Sequence, residues 1–282
     1  MSQQQGPDAL DRHVATEMRF ADWAKESAVL IALAMIGIGL EYPLAKTIGG
    51  GGPSGIFIST LAPVGLVPIA VWLVPTLGLP GAPWLSSMLR QKPSDKRFLG
   101  LVKPALLYSL LAVTAESAAN FIQHMSSVTG TSGPSRLVRG FSPARVRQMP
   151  ERIATYAVSA SIGAGIYEEI AYRLVVLTLC VWLISRVWRN RLVTPGAGAL
   201  WCANLLQGYV FGLMHLMRGF AVPNRWNLPL PLVAMTLPQT WAGVVFGHLY
   251  LSRGLEAAIL SHLLMDAGLF LLLVGVSLFG SY

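Results

Sequence analysis

Residues 153–185 read IATYAVSASIGAGIYEEIAYRLVVLTLCVWLIS, and the run holds only three charges, Glu168, Glu169 and Arg173. About 20 apolar residues suffice for a helix to cross the hydrocarbon core of a bilayer. This run is longer, so it reads as an interfacial helix leading into a span, or as one strongly tilted helix. Charges inside such a span are costly and by default mark function. One stretch therefore points both to the solvent the fold is built for and to where its chemistry lies.

The same reading extends outward. Apolar runs occupy 27–47, 56–79, 99–123, 197–217, 228–250 and 255–279 as well. Pro63, Pro68 and Pro75 predict that the second of these is kinked or broken. Hydrophobic residues make up 54% of the 282 positions and charged residues 12%, against about a quarter charged in a soluble domain. With a mean hydropathy of +0.56, disorder is excluded. The fold class expected is all-α, a polytopic membrane helix bundle of about seven to eight transmembrane helices. Residues 1–26 form a polar N-terminal segment, and Leu10, Val14, Met18 and Ala21 give it the spacing of a surface helix. It lacks the features of a signal peptide. Residues 27–282 form the integral membrane domain, with a catalytic core over 150–280.

The formal net charge of +8 comes from basic residues clustered between apolar runs, at 90–103, 124–152 and 186–191. Such clusters meet anionic headgroups. They do not form the basic stripes with stacking aromatics of a nucleic-acid binder, so no nucleic-acid partner is expected. They leave the orientation in the membrane undecided. Cys180 and Cys202 lie in apolar runs without a metal-binding or redox spacing and read as small hydrophobes.

The ionisable groups inside the runs that stand out are Glu116, Glu168, Glu169, Arg173, Asp266, His215, His248 and His262. Glu169 and Arg173 stand at i and i+4, acid first, the favourable order for a helical ion pair. That pair leaves Glu168 as a surplus carboxylate, which a purely structural salt bridge would not need. His262 and Asp266 are also at i and i+4. Three spans thus each bring a polar set toward the membrane interior. The chemistry they can share is water activation: a carboxylate beside a histidine takes a proton from water, and a second histidine stabilises an oxyanion. His248 is expected to make an interfacial hydrogen bond. Glu116 is expected to line the cavity or pair with Arg173.

The order Glu168-Glu169…Arg173, then Phe211…His215, then His262…Asp266 resembles the CPBP family, which comprises CAAX prenyl endopeptidases and bacteriocin-processing enzymes and is often labelled Abi. Gly243, Gly247 and Tyr250 also look like that family's small-residue helix. The resemblance implies an intramembrane endopeptidase whose helices surround a conical, water-accessible cavity. It implies catalytic roles for Glu168, His215, His262 and Asp266: the first two activate water and the last two form the oxyanion site. Glu169 and Arg173 would support them. An ionised Asp266 would repel an oxyanion, so it is protonated, or orients His262, or binds a metal.

Competing readings have their own signatures. No cofactor is favoured; zinc, if present, would be held by His215, His262 and Glu168, although the helical HExxH pair is absent. Ser54 and Ser132 sit in GxSG-like stretches that mimic a serine nucleophile, in Gly/Ser-rich surroundings where chance matches are common. A non-catalytic membrane scaffold or bacteriocin-immunity-type protein is the main non-enzyme alternative. A proton-coupled transporter would place its motifs in both halves of the chain. The expected partners are a peptide or lipidated-protein substrate and the lipid bilayer, with no oligomeric state indicated. The expected location is integral to a membrane, with a prokaryotic plasma membrane favoured.

Overall fold

The structure is a computed structural model, and it describes residues 20–48, 64–90, 99–128, 150–187, 195–219 and 230–279, with side chains described over most but not all of these. The described elements are helices, and no strand occurs among them. In chain order they are α1 (Phe20–Ile48), α2 (Val67–Thr76), α3 (Pro83–Leu89), α4 (Leu99–Val128) and α5 (Pro150–Glu168). A π-helical segment, Glu169–Leu177, follows α5 directly, and α6 (Thr178–Val187) continues from it. The remaining helices are α7 (Ala197–Gly219), α8 (Leu230–Arg253) and α9 (Leu255–Phe279). This is the all-α membrane helix bundle expected from the pattern.

Each apolar run falls on a helix. The second is shortened to α2, whose Pro68 lies in the first turn and whose Pro75 sits just before its end; residues 56–63 lie outside the described residues. Three helices are long and apolar enough to cross a membrane among the described residues: Phe20–Leu40, Ser161–Val187 and Ala197–His215. The protein is an integral membrane protein on this composition. α1 starts at Phe20, so residues 20–26 belong to it, while Leu10, Val14 and Met18 lie outside the described residues, as do Ser54 and Ser132.

The run 150–187 is a single continuous helix whose winding loosens in the middle. Both junctions keep right-handed helical geometry, at Glu168 (φ −68°, ψ −37°) and Thr178 (φ −60°, ψ −43°). Nearly all of the π segment is buried, including Glu169 and Arg173. It is the hub of the bundle, packing against α1, α2, α7, α8 and α9 as well as its own flanks. Ile170, Leu174, Val175 and Leu177 join Leu30 and Ala34 of α1 and Val67, Ala70 and Val71 of α2 in the main apolar core.

α7 and α8 make the most intimate helix pair. A Cβ at Gly243 would lie 2.8 Å from the Gly208 Cα, and one at Gly208 would lie 3.0 Å from the Thr240 carbonyl. Lipid tails give helices no hydrophobic reason to associate, so backbone-to-backbone packing over small residues holds such pairs together. The α8–α9 corner is made by Gly254 alone, at φ +100° and packed on Pro83. A left-handed φ and a crowded Cβ position both demand glycine there. Leu255 N–H then donates to the Gly81 carbonyl (2.8 Å), tying α9 to the α2–α3 connection.

Candidate active site

Three elements carry the polar set: the α5–π junction, α7 and α9. Glu168 closes α5 and is 2% exposed; Glu169 and Arg173, both fully buried, lie on the π segment. A π turn admits an extra residue relative to an α turn and recurs at functional sites. Here it begins at the second glutamate. The two adjacent carboxylates serve different partners.

Glu168 faces α7. Its Oε2 lies 3.7 Å from His215 Nε2, and its Oε1 accepts a hydrogen bond from the Tyr167 hydroxyl at 2.8 Å. His215 Nδ1 donates to the Phe211 carbonyl one turn back (3.0 Å). A carbonyl can only accept, so Nδ1 carries the proton. In the neutral ring this leaves the lone pair of Nε2 directed at Glu168.

Glu169 faces α9 and its own helix at once. Oε2 pairs with Arg173 Nε at 3.1 Å, the i,i+4 pair read from the sequence. Oε1 accepts from His262 Nδ1 at 2.7 Å. That second contact joins the first and third motifs and was not visible in their spacing. His262 Nε2 is directed to the other side, 3.8 Å from Asp266 Oδ2.

Aromatic rings fix this arrangement. The Arg173 guanidinium carbon sits 4.3 Å from the Phe211 ring centre and 5.4 Å from that of Phe246. A flat cation against aromatic faces is favourable away from water. Phe246 also stacks on His262, at 5.1 Å between centres and 24° between planes. Phe211 is therefore more than a motif letter: it accepts from His215 and carries Arg173. Sequence reading missed Tyr167 and Phe246. The signals were a tyrosine beside Glu168 within an apolar run, and a phenylalanine on the small-residue helix.

The candidate site residues are thus brought together as two linked sets, Glu168 with His215, and Arg173 with Glu169, His262 and Asp266. His215 and Asp266 are the more open members, with side chains 27% and 19% exposed, whereas Glu168 and His262 are nearly covered. Of the three candidate zinc ligands, Glu168 faces His215, but His262 is bonded to Glu169. Among the described residues no group of three or more His, Cys, Asp or Glu side chains is arranged to hold a metal ion.

Two other expectations concern His248 and Glu116. The ring of His248 stacks with Tyr108 of α4 (5.9 Å, 16°) and Trp201 of α7 (5.1 Å, 14°). It also borders a cavity of about 200 Å³ with Ala197, Leu200 and Leu251. Ring stacking is the contact the structure gives it. Trp201 and His215 are 14 residues apart on α7, roughly 20 Å at 1.5 Å per residue, so this cavity is remote from Glu168. Glu116 lies on α4, but its side chain is outside the described residues.

Residues 150–268 match the family model of type II CAAX prenyl endopeptidase Rce1-like proteins. No curated protein and no solved structure matches the chain. The matched segment carries Glu168, Glu169, Arg173, His215, His262 and Asp266, and its similarity to a family of CAAX prenyl endopeptidases supports the CPBP resemblance of the three motifs.

Proposed function

We propose that this chain hydrolyses peptide bonds at the membrane surface with a water molecule activated by Glu168 and His215. The observation that carries the reading is the 3.7 Å separation of Glu168 Oε2 and His215 Nε2, two acceptors facing each other. That gap is too long for a direct hydrogen bond and suits one water donating a proton to each. Such a water keeps a lone pair free to attack a carbonyl carbon. Its proton passes to Glu168 as the C–O bond forms. The oxyanion is met by the Nε2–H of His262, whose ring is held from behind by Glu169 and steered on its Nε2 edge by Asp266. Glu168 then delivers its proton to the leaving amine as the C–N bond breaks.

In this mechanism no step needs a metal or another cofactor. The substrate is a membrane-anchored or lipidated peptide, reached from the open side marked by His215 and Asp266, and the enzyme works in a prokaryotic plasma membrane. The test is purified protein in liposomes, given prenylated and unprenylated peptides with and without a strong chelator. Cleavage that is insensitive to chelation and favours the prenylated peptides is expected. Loss of activity on chelation, restored by zinc, would overturn the metal-free mechanism. Absence of cleavage with any peptide, beside a cellular effect that survives Glu168→Ala and His215→Ala, would return the chain to the scaffold reading.

A further inference from the structure

We infer that Tyr167 is the positioning residue of Glu168, and that α1, which lies outside the segment matched to the family, holds it in place. The inference rests on the hydrolytic reading above and adds a part to it. Tyr167 is fully buried, and its hydroxyl donates to Glu168 Oε1 at 2.8 Å. The terminal torsion of a glutamate is broad, so a carboxylate with neither oxygen held samples many orientations. With Oε1 engaged, Oε2 is turned toward His215. The proton taken from water then has one destination, and its geometry is fixed before substrate arrives.

The backbone beneath Tyr167 is pinned as well. Gly37 of α1 lies so close that a Cβ there would stand 2.8 Å from the Gly163 carbonyl and 3.1 Å from both the amide nitrogen and Cβ of Tyr167. The absence of a side chain at position 37 lets α1 press directly on the last turn of α5. A buried tyrosine hydroxyl needs a partner in any case. What distinguishes positioning from simple satisfaction is an effect on turnover.

Tyr167→Phe keeps the ring, and the backbone and Cβ that lie against Gly37, and removes only the donor. Its kcat is expected to fall about tenfold, as for loss of a hydrogen bond to a charged group, with KM within about twofold of wild type. Gly37→Ala should lower kcat in the same sense through a displaced α5. Wild-type kcat in Tyr167→Phe, or a defect confined to KM, would overturn the proposal. Should the wild-type protein cleave no peptide, the hydrolytic reading falls by itself, and the contact is read by difference infrared spectroscopy. The Glu168 carboxylate bands, assigned by their loss in Glu168→Gln, are expected to shift in Tyr167→Phe. Bands that stay in place would overturn the proposal there too.

Discussion

Arg173 has no exposure to solvent, and it pairs with the carboxylate of Glu169. An ion pair taken out of water gains little net stability, yet removing one partner strands the other in a place where it cannot be hydrated. Arg173→Met is therefore expected to destabilise the protein by about 3–5 kcal/mol, read as a lowered thermal midpoint in detergent. Arg173→Lys should recover only part of this, because an ammonium cannot lie flat between Phe211 and Phe246. An Arg173→Met protein as stable as wild type would contradict the placement. At this scale much was legible. The Glu169–Arg173 pair followed from i,i+4 spacing, and the surplus of Glu168 pointed to a separate duty. The bond from Glu169 to His262 was not legible, because it joins residues 93 positions apart, and nothing in either motif says which carboxylate the histidine meets.

Among the elements, α5, the π segment and α6 form one helix that the sequence showed only as too long for an untilted span. Apolar spacing reveals that a helix exists. It does not reveal a local change from α to π hydrogen bonding, which is settled by packing against α1, α2, α7, α8 and α9. The α7–α8 contact was partly legible, since Gly243 and Gly247 stand on α8 at small-residue spacing. Their partners on α7, Gly208 and Asn204, emerge only from the structure. Gly243→Val forces the two backbones apart and is expected to cost about 1–3 kcal/mol by thermal unfolding, with a parallel loss of activity as Phe246 and His262 move away from Phe211. Unchanged stability in that variant would mean that the helices do not meet at Gly208.

Across the whole molecule, low charge and long apolar runs gave the fold class, and every run returned as a helix. What composition could not give is the division of labour among them. α1 and α2 build the apolar core around the π segment, α7 and α9 carry histidines to it, and α3 is tied to α9 by Glu256, whose Oε1 accepts from the Trp84 and Leu85 amides at 3.0 and 2.9 Å. A bundle of this kind, with Trp72, Leu107, Leu110 and Leu205 on its outside, is stable only with lipid around it. The protein is expected to remain in the membrane pellet through high-salt and alkaline carbonate washes, and to leave it with detergent. Release by salt alone would show attachment by its basic loops rather than by spanning helices.

The central claim is that Glu168 and His215 share the attacking water, and turnover by liposome-reconstituted Glu168→Gln and His215→Ala proteins tests it most directly. Removal of a general base costs about 10²–10⁴ in rate, so each variant is predicted to lose at least a hundredfold in kcat while remaining folded and binding substrate. Cleavage at wild-type rates by both variants would contradict the account.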